Sequence, residues 1–302
     1  MSIERVAIIG LGLLGGSVGL AIEEQLPKIA TRGYDRDEQV RIRAAARGLV
    51  GEVCGNAQDA LADADLVILC VPVGAMEATA NELAPHLKRG AIISDVGSSK
   101  ESVAKALAKA LPGHIVIPAH PVAGTEQSGP EAGFASLFVN RWCILTPPEG
   151  VDQAAVEALS DFWTKLGAMV EIMDAEHHDL VLAVTSHIPH LIAYTIVGTA
   201  SDLEEVTRSE VIKYSAGGFR DFTRIAASDP VMWRDVFLNN KGAVLEVLGR
   251  FTEDLTALQR AIRSGDGDTL HNLFSRTRAI RRQVIEEGQD DGRPDFGRKD
   301  HI

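Results

Sequence analysis

Gly10-Leu11-Gly12-Leu13-Leu14-Gly15 follows the β-branched run Val6–Ile9 and precedes a helical pattern, so spelling and context both fit a dinucleotide phosphate loop. Gly10 permits the tight turn, Gly12 lets backbone approach a pyrophosphate, and Gly15 lets the helix pack on the strand. Leu13 and Leu14 begin the helix, whose free N–H groups would meet the phosphates. Asp35 lies twenty residues after Gly15 at the end of the next strand pattern. Its carboxylate can accept from an adenosine ribose and repel a 2′-phosphate, which favours NAD over NADP. Arg36 beside it is the dissenting residue. It could hold a 2′-phosphate, stack on adenine, or lie in solvent.

His120, in His120-Pro121-Val122-Ala123-Gly124-Thr125-Glu126, sits just past the apolar run Ile115-Val116-Ile117, at the far end of the half that the glycine loop opens. Delivered by a sheet edge, its imidazole would lie where a bound nicotinamide ends. Histidine is the side chain whose ordinary pKa lies nearest neutrality, so His120 is a candidate acid/base group for hydride chemistry. The plainer alternative is a residue that caps a proline turn. Val71 and Pro72 close one buried run at the carboxyl edge, where open α/β sheets bind ligands, and Ser98 follows the next run. Ser98 can hydrogen-bond nicotinamide or substrate, or serve as an ordinary turn residue.

His187 and His190 frame Pro189 in an otherwise helical, apolar segment. Proline removes an intrahelical hydrogen bond and kinks the chain, which can aim both imidazoles and Ser186 toward a cleft. Single histidines on such a face are otherwise core groups. His177, His178 and Asp179 lie nearby, but zinc hydrolases pair histidines four apart with a neighbouring glutamate. No metal site is expected.

The stretches His120–Gly129, Ser186-His187-Ile188-Pro189-His190 and Gly217–Ala226, followed by Met232-Trp233, occur in this order behind the glycine loop. Through them the chain, from about Ile3 to Glu287, resembles the prephenate/arogenate dehydrogenase family of tyrosine biosynthesis. The resemblance implies oxidation of a cyclohexadienyl ring hydroxyl with NAD, NADP being the lesser alternative, and loss of the ring carboxylate as carbon dioxide. The product is hydroxyphenylpyruvate from prephenate or tyrosine from arogenate, and the sequence leaves that choice open. It also implies that His120 takes the hydroxyl proton and that Arg224 grips the ring carboxylate, for which a guanidinium fork is suited. His190 foremost, then His187, would bind substrate, with Glu126 and Trp233 lining or gating the site. A β-hydroxyacid dehydrogenase shares the two-domain plan without these motifs, and a non-catalytic NAD-binding sensor has no use for an acid/base group and a carboxylate clamp together.

The elements that must position these residues fall into two classes. Up to about Asp174, short β-branched runs alternate with helical patterns: Val6–Ile9, Ala30–Tyr34, Leu66–Val71, Ala91–Ser94, Ile115–Ile117, Trp142–Leu145 and Met169–Ile172. All are expected in one Rossmann-type, mostly parallel sheet. Beyond Asp174 the pattern is helical throughout. Asp229-Pro230 starts a helix, as cap and first residue, whose apolar positions run from Trp233 to Ile262 over eight or nine turns. So long a stripe calls for a second layer of helices, and a homodimer through this part is expected. The expected organisation is therefore α/β with residues 1–173 binding the dinucleotide, an all-α substrate and dimerisation domain at 174–288, and a poorly ordered tail at 289–302.

Composition sets the outer limits. The 302 residues carry a formal net charge of −12, which argues against nonspecific binding to nucleic acid or anionic membranes. An anionic small-molecule substrate must meet a local basic pocket. No apolar run is expected to span a membrane, and no signal segment is read at the N-terminus. Cys54, Cys70 and Cys143 are scattered without paired spacing, consistent with a reducing cytoplasm.

Overall fold

The computed structural model describes residues 2–202 and 213–286. Strands β1 (Arg5–Ile9), β2 (Ala30–Tyr34), β3 (Glu52–Val53), β4 (Leu66–Leu69), β5 (Ile92–Asp95) and β6 (Ile115–Val116) form one parallel sheet in the order β3-β2-β1-β4-β5-β6. This is the doubly wound order, and its direction reverses between β1 and β4. In open sheets of this kind ligands bind outside the carboxyl ends of the two strands at the reversal. Gly10 follows β1 and donates its N–H to Tyr34 O at 2.8 Å, while Cys70 follows β4 and donates to Ile9 O at 2.7 Å.

The strand cores are apolar on both faces because helices cover both. Val6 and Ile8 join one buried cluster and Ala7 and Ile9 the other, as the two-residue alternation of a strand requires. The first cluster extends to Phe138, Phe162 and Trp163, whose rings meet edge to face.

Trp142–Leu145 (β8) and Met169–Ile172 (β9) are strands, as expected, but they do not extend the main sheet. With β7 (Ala119–Pro121) they form a second sheet, β7-β8-β9, in which β7 is antiparallel to β8 and β9 parallel to it. The cause is local. β6 is two residues long, and Pro118 has no N–H to continue its ladder, so the chain turns and pairs His120 with Ile144 instead. His120 thus lies within a strand, not in the turn beyond one.

The helix predicted from Asp229 begins as expected. Asp229 accepts from Met232 N–H at 2.8 Å and Pro230 takes the first position. It is not continuous, however. Pro230–Asn239 ends where Asn240 leaves helical geometry, and a new helix runs over Lys241–Ser264, followed by Gly267–Glu286. Asn240 is 4 % exposed, and its side chain donates inward to Asp179 O. Around Pro189 the departure is a π-helical turn, Ala183–His187, immediately before the α-helix Ile188–Asp202.

The helical run Ala175–Asp202 is, by length and composition, long and apolar enough to cross a membrane, correcting the expectation that no segment would be. Core helices of soluble proteins share this property. The described residues up to Leu245 make one compact unit and those from Glu246 another. The expected tail at 289–302 lies outside the described residues.

Candidate active site

The glycine loop is shaped for backbone approach. Gly10 has φ +96°, and a Cβ there would stand 2.5 Å from Cys70 O; a Cβ on Gly15 would stand 1.9 Å from Gly10 O. Gly12 instead faces open space, and as N-cap of the helix Leu13–Gln25 it offers no side-chain cap. The first N–H groups of that helix are left for a ligand, which is what a pyrophosphate requires. Asp35 is more occupied than its sequence position suggests. Its Oδ2 accepts from Leu11 N–H at 2.9 Å and its Oδ1 from Asp37 N–H at 2.9 Å, so it holds the loop as well as standing at the end of β2. Arg36 is exposed, with no side-chain partner among the described residues. Val71 is half-buried and Pro72 exposed in the turn after β4, and Ser98 is half-buried after β5.

His120 is 7 % exposed on β7. Its strand is fastened to the end of β5 by a buried ion pair, in which Lys100 Nζ donates to Asp95 Oδ2 at 2.5 Å and to Ala119 O at 2.7 Å. Asp95 Oδ1 in turn accepts from Ala119 N–H at 3.2 Å. Lys100 is wholly buried, and burial pushes its ammonium below the usual lysine range, partly opposed by Asp95.

From His120 a polar network runs into the helical segment. His120 Nδ1 lies 2.8 Å from His178 Nε2, the rings meeting edge to face, and His178 Nδ1 lies 2.8 Å from Asp179 Oδ1. Asn240 Nδ2 donates to Asp179 O at 2.7 Å and lies 3.1 Å from His187 Nδ1. His187 meets the Trp233 indole edge to face, and on the other side Trp233 stacks on His190, with centroids 3.6 Å apart and planes 24° apart. His190 Nδ1 donates to Ser186 O at 2.8 Å. Arg224 Nη1 donates to Glu126 Oε2 at 2.9 Å, and its charge is felt at His190.

Burial holds all four imidazoles below the ordinary histidine range. His120 is well below it, helped by the neighbouring His178, Lys100 and His187; His187 is pushed down to about 4, with Asp179 opposing. Each is therefore neutral near pH 7, so His120 has one ring nitrogen free to accept a proton.

The predicted residues His120, His187, His190 and Trp233 are joined in this network, with Arg224 and Glu126 at its exposed end. His178, Asp179, Lys100, Asp95 and Asn240 were not foreseen as parts of the site. His178 and Asp179 drew notice only as possible metal ligands; among the described residues no three ligating side chains converge on one ion position.

Two family models cover most of the chain: the nucleotide-binding domain of prephenate dehydrogenase over residues 18–172 and its dimerization domain over residues 174–276. A cyclohexadienyl dehydrogenase of Zymomonas mobilis is 48 % identical over 92 % of this chain and 95 % of its own length. A prephenate dehydrogenase of Bacillus subtilis is 32 % identical over 92 % of this chain and 75 % of its own. Among solved structures, a prephenate dehydrogenase from Aquifex aeolicus, in complex with hydroxyphenyl propionate and NAD+, superposes with a TM-score of 0.87 at 32 % identity, covering 94 % of this chain and 99 % of that one. With this architecture and these likenesses over nearly its whole length, the chain belongs to the prephenate dehydrogenase family.

Proposed function

We propose that this protein oxidises and decarboxylates a cyclohexadienyl substrate, prephenate or arogenate, with NAD+ in tyrosine biosynthesis. The observation that carries the reading is a neutral, buried His120 fastened beside the end of β5 of the nucleotide sheet, with hydrogen bonds and ring contacts running from it through His187 and Trp233 to His190, where the charge of a candidate carboxylate-binding arginine is felt.

The glycine loop and the N-terminus of the helix Leu13–Gln25 would hold the pyrophosphate, with Asp35 at the ribose and Val71, Pro72 and Ser98 along the crevice. When bound, the oxidised nicotinamide supplies a hydride acceptor. His120 takes the proton of the C4 hydroxyl as hydride leaves the same carbon. Arg224 orients the ring carboxylate, whose bond to C1 then breaks to release carbon dioxide and leave an aromatic ring. A clamp that stabilised the carboxylate too well would oppose this loss, and Arg224, 46 % exposed and still hydrated, orients more than it neutralises. His190, held against Trp233, lines the substrate side with His187 behind it.

In this reading residues 1–173 bind the cofactor and 174–288 form the substrate and dimerisation part. Val184, Ile196 and Val197 expose apolar surface on the Ala175–Asp202 run, which suits a homodimer of a cytoplasmic enzyme. The test is reduction of NAD+ on adding prephenate, with stoichiometric carbon dioxide, compared with arogenate and with NADP+. Absence of turnover with both substrates overturns the proposal.

A further inference from the structure

The contacts behind His120 do more than bury it, because they decide which of its nitrogens carries the proton. Asp179 is 2 % exposed, and both its oxygens already accept backbone N–H bonds, from Lys100 at 2.7 Å and Glu101 at 3.0 Å. It can only accept from the imidazole beside it, so His178 Nδ1 carries the hydrogen of that 2.8 Å contact. His178 is fully buried and neutral, which leaves a lone pair on its Nε2. The 2.8 Å contact to His120 then requires a hydrogen on His120 Nδ1. A neutral His120 so arranged presents a bare Nε2, which has no partner among the described residues. This is the reverse of the tautomer that free histidine prefers in water.

We propose that Asp179 and His178 form a buried relay of positioning residues that locks His120 in its Nδ1–H tautomer, leaving Nε2 as the proton-accepting atom. The proposal deepens the dehydrogenase reading and rests on His120 being the base. Among the described residues, nothing else that faces His120 fixes the same choice. Lys100 is committed to Asp95 and Ala119 O, and His187 turns its Nδ1 to Asn240. Without the relay, Nδ1 would be an unpaired buried donor, or the proton would move to Nε2 and block the acceptor.

The experiment reads the tautomer directly. In protein with ¹⁵N-labelled histidines at pH 7.5 and without substrate, His120 is expected to show a protonated Nδ1 and an unprotonated Nε2. His178→Gln places a carbonyl oxygen near the lost acceptor and is expected to keep that pattern. His178→Phe fills the space without an acceptor and is expected to lose it. For the Phe variant kcat with prephenate should fall about 10²-fold, the effect of disabling a general base, while KM and NAD+ affinity change less than about threefold. The Gln variant should retain most of kcat.

A protonated Nε2 in the wild type overturns the proposal, as do equal losses of kcat in the two variants, which would mark a packing role. Should His178→Phe fail to fold, the wild-type spectrum and His178→Gln still decide. Because the spectrum needs no turnover, an inactive wild type with the expected tautomer would refute the dehydrogenase reading and not the relay.

Discussion

Glu126 Oε2 accepts a hydrogen bond from Arg224 Nη1 at 2.9 Å, across 98 residues of sequence, so the guanidinium proposed to clamp the substrate carboxylate is already holding one of the protein's own. The pair is exposed, and such pairs contribute about 0–1 kcal/mol. A substrate carboxylate can displace Glu126 at that small cost. Glu126→Gln removes the competing charge and is expected to lower KM for prephenate by up to about fivefold at low salt, with kcat little changed. Steady-state kinetics at two ionic strengths checks this, and the difference should shrink as salt rises.

Arg224 is expected to act through geometry as well as charge. Arg224→Lys keeps the cation but loses the planar fork, so KM should rise about tenfold, one good hydrogen bond's worth, while NAD+ affinity is preserved. Titration of NAD+ by fluorescence beside prephenate kinetics separates the two. A lysine variant with wild-type KM would show that Arg224 is only a surface charge.

Lys100 and Asp95 hold β7, and with it His120, to the end of β5. Removing one partner of a buried pair strands the other charge, so Lys100→Met is expected to cost about 3–5 kcal/mol of stability. The double change Lys100→Met with Asp95→Asn should recover part of it, because no charge is then left buried. Urea unfolding of the three proteins measures both effects.

The buried histidines make the protein acid-sensitive. His187 titrates near 6.5 when unfolded but is held down to about 4 when folded. Between those values the unfolded chain binds the extra proton, so stability rises with pH and is lost as pH falls from about 6.5 toward 4. This group alone accounts for about 3 kcal/mol over that range. Urea midpoints at pH 7.5, 6, 5 and 4.5 should fall accordingly, and His187→Gln should flatten the slope even if it lowers stability at pH 7.5.

The sequence by itself determined what depends on short spans. The glycine loop, Asp35 after the second strand, the alternation of strands and helices, and the Asp229-Pro230 helix start each rest on a few adjacent residues whose backbone requirements are local. The resemblance carried by the His120, His187 and Arg224 stretches pointed to the chemistry. Tertiary structure decided the support behind it. His120 meets His178 across 58 residues, Lys100 meets Asp179 across 79, and Asn240 meets Asp179 across 61. A buried polar group must find a partner, but which partner depends on how distant elements pack, and no local pattern records it. The same holds for the second sheet. Trp142–Leu145 reads as a strand wherever it pairs, and only the turn at Pro118 gave it β7 as a neighbour and set His120 facing the helical segment.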